Sequence, residues 1–405
     1  MLVKNIALLG HKDHGKSTLL GSLLMQTGAA TQVRIKEAEE YSKKLHKTFE
    51  PAFILDSFAE ERLREMTIDT TRAEITYKGL AFAFIDVPGH EELIKNMISG
   101  ASYGEVALLL VSAKKDEGIR DQTKRHLFIA RMLGIERLVV AINKMDLIEY
   151  GRGKFEEIKS GLEDYIERIG FARGMVSFVP ISAYKGDNLV KKSDKLSWYK
   201  GKTLVEHLYE NVKRPAKKQM GALRIITQGM IEAEGGLVVG KIVSGSIKIG
   251  DRIAVLPAER DAVVKGITVK GKKVKKATVE ENVAIKLDKN IGIELRGTVI
   301  SGYENRPPLS NNIKSEIFVT GKFGSNMQIK FNGIDIKCSG VKVHKLIDTR
   351  TGERVNATKP VVLDAVEAEV HLAKRIPMER YDAIKELGRF VLYSGNKFVG
   401  IGIME

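Results

Sequence analysis

The sequence is poor in cysteine, with Cys338 alone among 405 residues, and it has one tryptophan and nine prolines. A single cysteine excludes an internal disulfide and any cysteine-based zinc site, which suits a reducing cytoplasm, the location expected from sequence. No uncharged apolar run reaches the roughly 18 residues of a membrane span, so no membrane partner is read. The opening MLVKNIALLG lacks the small-residue cleavage site of a signal peptide and reads as a buried strand. Histidine is also scarce, at eight residues, and only His11 and His14 lie close together, inside a glycine loop. Acidic residues are in deficit: 51 Asp and Glu face 66 Lys and Arg, a net charge of +15. That excess predicts attraction to polyanions such as RNA, the alternative being a lysine-rich solvated surface; nothing reads as a DNA-specificity element.

What is present is globular in texture, with 43% hydrophobic and 29% charged residues. Up to about residue 210, short apolar runs (NIALLG, LAFAFID, VALLLVSA, RLVVAIN, VSFVPIS) alternate with helix-like stretches such as STLLGSLLMQT and FEEIKSGLEDYIERIG. This alternation predicts an α/β domain with a mainly parallel sheet and helices on both faces, over residues 1–212. Beyond a basic, proline-containing linker, β-branched runs and Gly-rich turns predict an antiparallel β-barrel over 213–305. The prolines of GYENRPPLSNN mark a second break, and a second antiparallel barrel is expected over 306–405.

GHKDHGKS, residues 10–17, fits the phosphate-loop pattern, with a strand before it and the helix STLLGSLLMQTG after it, Gly28 serving as the stop. Backbone N–H groups of such a loop face phosphates, Lys16 neutralises β and γ charge, and the Ser17 hydroxyl ligates Mg²⁺. LAFAFID ends at Asp86, placed to hold the magnesium shell through water, and continues to Gly89, whose N–H can sense a γ-phosphate. NKMD at 143–146 supplies Asn143, Lys144 and Asp146, and the next strand delivers Ser182, Ala183 and Tyr184. An ionised Asp146 only accepts hydrogen bonds, and guanine offers two donors on one edge where adenine offers none, which selects GTP over ATP. A site built around such bonds rejects an analogue lacking them by roughly 10⁴ to 10⁵. In this reading Asn143 holds N7 and supports the loops, Lys144 covers the base, and the Ala183 N–H faces O6.

With these residues in hand, the chain resembles translation-type GTPases of the elongation factor Tu and elongation factor 1-alpha superfamily. The resemblance is densest in GHKDHGKSTLLGSLL, EERLREMTID, DVPGHEELIKNMISGAS, VVAINKMDL and FVPISAYKGDNLVKKSDKLSWYKGKTLVEHL, the last especially like archaeal elongation factor 1-alpha. It implies a P-loop GTPase domain followed by two β-barrels, hydrolysing GTP to GDP and phosphate as a conformational switch. The GTP-binding set is then Asp13, His14, Gly15, Lys16, Ser17, Thr18, Asp86, Gly89, Asn143, Lys144, Asp146, Ser182, Ala183 and Tyr184, with Mg²⁺ held by Ser17, Thr67 and, through water, Asp86. Catalysis falls to Lys16, Thr67 and His90: Thr67 matches the switch threonine, and His90 matches the histidine that orients the attacking water. From residues alone His90 is equally an exposed turn histidine. No arginine finger is evident, so hydrolysis is expected to be slow until a partner accelerates it. The implied partners are the ribosome or tRNA and a nucleotide exchange factor.

Two features depart from the family pattern. Where aminoacyl-tRNA carriers have a histidine-rich segment in the last barrel, this chain has FNGIDIKCSGVKVHKLID with His344 alone. The GTPase subunit of the two-subunit ATP sulfurylase is a similar three-domain protein, so a sulfate-activating role beside an ATP sulfurylase catalytic subunit is an alternative. A GTP-gated binding module with vestigial hydrolysis is another. KGITVKGKKVKK, residues 265–276, carries six lysines that either guard an edge strand or contact RNA. Finally, Lys12 stands where elongation factors have Val or Ile, and its implied partner is Met66, preceded by Glu65 where the family has glycine. It either turns outward or approaches the γ-phosphate and alters hydrolysis.

Overall fold

A computed structural model describes residues 3–44, 46, 48–55, 72–86, 106–213, 221–231, 236–291 and 296–405. The chain divides into two compact units, Met1–Pro215 with Thr349–Gly352, and Ala216–Asp348 with Glu353–Glu405. The first is built on a six-stranded sheet of β1 (Val3–Gly10), β2 (Arg72–Tyr77), β3 (Leu80–Asp86), β4 (Val106–Ser112), β5 (Arg137–Asn143) and β6 (Val176–Pro180). Its order is β2-β3-β1-β4-β5-β6, and only the β2–β3 pairing is antiparallel. β4 and β5 are buried at every position, as the uninterrupted runs VALLLVS and RLVVAIN require of strands enclosed on both faces. The phosphate loop leaves β1, which is flanked by β3 on one side and β4 on the other. The strand order reverses there, and the loops after β1, β4, β5 and β6 meet at the carboxyl ends.

The helix after the loop, Lys16–Gln26, buries Leu19, Leu20, Leu23 and Leu24 against this sheet. It ends at Thr27, and Gly28 follows at φ 72°, the left-handed turn that glycine adopts freely. Gly21 lets the helix approach the Pro51 carbonyl so closely that a Cβ would lie 1.8 Å from its oxygen. Two elements go beyond the expectation from sequence. The edge strand β2 alternates buried Ala73 and Ile75 with exposed Glu74. A helix at Gln32–Lys44 fully buries only Ala38 and Ser42, with Ile35 packed at the edge of the core, so few large apolar residues mark its inner face.

The second unit holds two antiparallel barrels. The first comprises β7 (Arg224–Ile231), β8 (Leu237–Ser244), β9 (Ser246–Lys248), β10 (Arg252–Leu256), β11 (Arg260–Val269), β12 (Lys272–Val274), β13 (Lys276–Thr278), β14 (Asn282–Leu287) and β15 (Val299–Gly302). β10-β15-β7-β8-β14-β11 close into a ring through the β10–β11 pairing, around Ile225, Ile242, Val255, Val264, Ile285 and Ile300. The second comprises β16 (Leu309–Val319), β17 (Met327–Phe331), β18 (Ile334–Ile347), β19 (Arg354–Asn356), β20 (Ala365–Pro377), β21 (Arg389–Ser394) and β22 (Lys397–Met404). It closes in the same way through β17–β18. Closure leaves no free edge within either ring. Arg224, buried in β7, spans the two barrels: its guanidinium pairs with Glu379 at 2.6 Å and donates to the Asn305 carbonyl at 2.6 Å.

The lysine-rich stretch forms the end of β11, the edge strand β12 and the first residue of β13, with β11 and β12 turned by Lys270 (φ 48°) and Gly271 (φ 77°). That is a two-residue hairpin of the kind with both central residues at positive φ. All six of its lysines are exposed, and β12 lies outside the ring, where charge blocks pairing with another chain. Among the described residues no helix is long and apolar enough to cross a membrane.

Candidate functional site

The loop after β1 is shaped by two glycines and one short helix. Gly10 stands at φ 143° with its α-carbon pressed against the Leu110 carbonyl, where a Cβ would come within 2.8 Å. Lys12–His14 form a single 3-10 turn, and Gly15 at φ 89° redirects the chain into the helix that starts at Lys16. The Lys16 side chain folds back under the loop, its ammonium donating to the Gly10 carbonyl at 2.9 Å and the His11 carbonyl at 3.3 Å. The positive charge is thereby centred in the curve of the backbone. His14 is buried and turned away from this curve, with Nδ1 3.0 Å from the Leu110 carbonyl oxygen. Burial lowers its pKa, so the imidazole is held neutral. Its role is therefore to shape the loop, and its carbonyl faces Asn143.

Asn143, the last residue of β5, joins two loops through one amide. Its Nδ2 donates to the His14 carbonyl at 2.8 Å, and its Oδ1 accepts the Ala183 N–H at 2.8 Å. The Ala183 N–H, expected from sequence to face the guanine O6, donates to Asn143 in this structure and ties down the loop after β6. Gly15 packs directly on the same amide; a Cβ there would lie 2.6 Å from Asn143 Nδ2. Ser22 of the helix adds a third tie, its hydroxyl donating to the Ala183 carbonyl at 2.5 Å.

Asp146 lies on a short 3-10 turn, and its Oδ1 accepts the Ser182 hydroxyl at 2.5 Å. The bond fixes the carboxylate plane and leaves Oδ2 for a donor from outside. Behind it, Tyr150 donates to Asp187 Oδ2 at 2.6 Å, and Asp187 also accepts the Ser193 hydroxyl at 2.8 Å. Burial and the Asp187 carboxylate raise the Tyr150 pKa, so this donor stays protonated. Trp198 closes the support by donating to the Tyr150 carbonyl at 2.9 Å.

Asp13, Gly15, Lys16, Ser17, Thr18, Asn143, Lys144, Asp146, Ala183 and Tyr184 line one cavity of about 650 Å³. Of the remaining expected contacts, His14 and Ser182 stand just behind its wall as supports. Asp86 ends β3 in register with Leu8 of the central strand. Thr67, Gly89 and His90 lie outside the described residues, as do Glu65 and Met66. Glu50, Lys114 and Leu147 line the cavity as well, and sequence reasoning did not name them. Nor did it name Glu117, which accepts from Lys144 Nζ at 2.7 Å. Burial works to raise the Glu117 pKa, but hydrogen bonds from Lys144, Ser112 and Lys114 outweigh it and hold the carboxyl down at about 2. The nearest sequence signal is an acid in the polar KKDEG turn after a buried strand.

A cavity with a lysine at one end and an acceptor-only carboxylate at the other suits a phosphorylated base. The Ser17 hydroxyl, a hard oxygen donor beside Lys16, fits Mg²⁺. Among the described residues no group of three His, Cys, Asp or Glu is set to hold a metal. Mg²⁺ at phosphates needs no such cage, since it keeps several waters and takes one or two protein ligands.

Residues 1–233 match the elongation factor Tu GTP binding domain family, and residues 319–405 match the GTP-eEF1A C-terminal domain-like family. Elongation factor 1-alpha of Aeropyrum pernix is 33% identical, over 99% of this chain and 95% of its own. That of Saccharolobus solfataricus is 35% identical, over 99% and 96%. A crystal structure of sup35 complexed with GMPPNP overlaps 99% of this chain and 93% of its own at 22% identity, with a TM-score of 0.44. With the phosphate loop, the base loops and both barrels accounted for, the chain belongs to the elongation factor Tu and elongation factor 1-alpha superfamily of translation GTPases.

Proposed function

We propose that the protein is a GTP-driven switch of the translation elongation type, binding GTP and GDP with Mg²⁺ and hydrolysing GTP slowly until a partner stimulates it. The observation that carries this reading is the paired use of Asn143 and Asp146. One amide ties the phosphate loop to the base loop, and one carboxylate, braced by Ser182, presents a free oxygen to the same cavity. Guanine N1–H and the 2-amino group are the donors that match this oxygen, and adenine has neither.

In this reading Lys16, with backbone N–H groups of the Gly15–Thr18 segment, neutralises the phosphates. Ser17, Thr67 and a water on Asp86 would hold Mg²⁺, which supplies charge neutralisation at the β- and γ-oxygens. His90 orients water for in-line attack on the γ-phosphate, with positioning and electrostatics supplying most of the acceleration. Loss of the γ-phosphate then frees the segments around Thr67 and Gly89, the order–disorder device common to GTP switches. Lys12 stands at the start of the loop's 3-10 turn. A Lys12→Val variant with unchanged intrinsic hydrolysis and GTP affinity would assign it a solvent role.

The partners proposed are the ribosome or tRNA, with an exchange factor, in the cytoplasm. The net charge of +15 and the exposed lysines of residues 265–276 favour an RNA-bearing partner. The curated relatives reported above are elongation factors, and the sulfurylase-subunit reading gains no support from them. Titration with GTP, GDP and ATP tests the nucleotide assignment; equal affinity for ATP would overturn it. Single-turnover hydrolysis with and without ribosomes tests the switch. A rate that ribosomes do not raise, in wild type and in His90→Ala alike, favours a binding module.

A further inference from the structure

Lys144, proposed to cover the guanine base, has a long side chain that its own loop does not hold in place. Its backbone is left-handed, at φ 63°, which only sets the direction in which the stem leaves. The far end is fixed from another loop. Lys144 Nζ donates to Glu117 Oε2 at 2.7 Å, while Glu117 Oε1 takes the Lys114 ammonium at 3.0 Å.

The turn that carries Glu117 is itself anchored to the strand end that carries Lys144. Ser112 and Asn143 are register partners at the ends of β4 and β5, and the Ala113 N–H donates to the Asn143 carbonyl at 2.7 Å. The turn closes by Lys114 N–H to Ser112 Oγ at 3.2 Å and Glu117 N–H to the Lys114 carbonyl at 3.2 Å. Glu117 and Lys144 are only 17% and 24% exposed, so salt screens this pair less than it screens an open surface pair.

We propose that Glu117 is a positioning residue for the nucleotide: it holds the Lys144 ammonium so that the methylene stem forms a standing wall of the base cavity and slows nucleotide escape. Ordering a lysine before the ligand arrives removes a cost that binding otherwise bears. This inference rests on the guanine-nucleotide reading. The competing account is that Glu117 merely closes its own turn through Lys114.

The two differ in how they couple to Lys144. Release of a fluorescent GDP analogue is measured from wild type, Glu117→Gln, Lys144→Met and the double variant. Glu117→Gln is expected to speed release about tenfold, the effect of one charge-assisted hydrogen bond. Lys144→Met is expected to speed it at least as much, and the double variant to match Lys144→Met, because both changes remove one device. A wild-type rate in Glu117→Gln overturns the proposal. So does a double variant whose acceleration is the product of the two single ones. Should Glu117→Gln fail to fold, the same cycle with Glu117→Asp decides, since a shorter carboxylate keeps its charge but draws back from Lys144: release coupled to Lys144 supports the proposal, and uncoupled or unchanged release overturns it. If wild type binds no guanine nucleotide at all, it is the nucleotide reading that falls.

Discussion

His14 and Asn143, 129 residues apart in the chain, are joined by a buried 2.8 Å hydrogen bond from the asparagine amide to the histidine carbonyl. The other end of the amide holds Ala183, so the phosphate and base ends of the cavity are spaced by a single side chain. Asn143→Ala would leave a buried carbonyl and a buried N–H without their partner, at about 1–3 kcal/mol for each group. We expect a lower denaturant midpoint and weaker binding of GDP and GTP together, measured by urea unfolding and calorimetric titration.

Gly15 serves the same junction by having no side chain. An alanine there meets a left-handed φ of 89° and a Cβ 2.6 Å from Asn143 Nδ2. Gly15→Ala should cost more than about 1 kcal/mol from the backbone alone and should also displace the amide. Nucleotide affinity is expected to fall further than stability does; equal affinity with wild type would show that the loop relaxes freely.

Asp146→Asn exchanges an acceptor for a donor at the base edge while an oxygen remains for the Ser182 hydroxyl. GDP binding is expected to weaken by about 2–3 kcal/mol and xanthosine diphosphate to become the better ligand. Competition between the two nucleotides on one preparation reads this directly.

Two groups of the site contribute separable parts of the acid limb of stability. Glu117 is depressed to about 2 from 4.5, so its stabilisation is complete above pH 4.5 and is lost as pH falls toward 2. His14 is lowered from 6.5 by burial, so its neutral form stabilises fully above pH 6.5, and that contribution begins to be lost as pH drops below this value. Unfolding in urea at stepped pH, followed by Trp198 fluorescence, should show the lower slope flattened in Glu117→Gln, by about 3 kcal/mol at most. The upper slope should flatten in His14→Gln.

The parts of this protein that were legible in its sequence are those with a periodic or backbone-encoded signal. β4 and β5 read as continuous apolar runs because both of their faces are covered, and the cavity residues stand at their carboxyl ends where turns begin. Gly10, Gly15 and Lys16 were legible because a phosphate loop needs those residue types at that spacing. The helix Gln32–Lys44 was not, since the residues it fully buries, Ala38 and Ser42, are small and carry little apolar signal. Glu117 was not legible either, because its pairing with Lys144 is long-range and polar and leaves no period in the chain. The hydrogen bond from the Ala183 N–H to Asn143 was not legible for a related reason: it joins residues far apart in the chain and leaves no periodic signal.

The closed rings of the second unit carry a consequence for how it comes apart. In each ring every strand is bonded on both sides, so no strand can peel away without breaking two ladders at once. Amide exchange should therefore be slow and nearly uniform around β7, β8, β10, β11, β14 and β15, and proteases should find no intermediate lacking one strand. β12, bonded only to β11, is the exception: its amides should exchange early, and cleavage at Lys272 or Lys273 should leave the ring behind it intact.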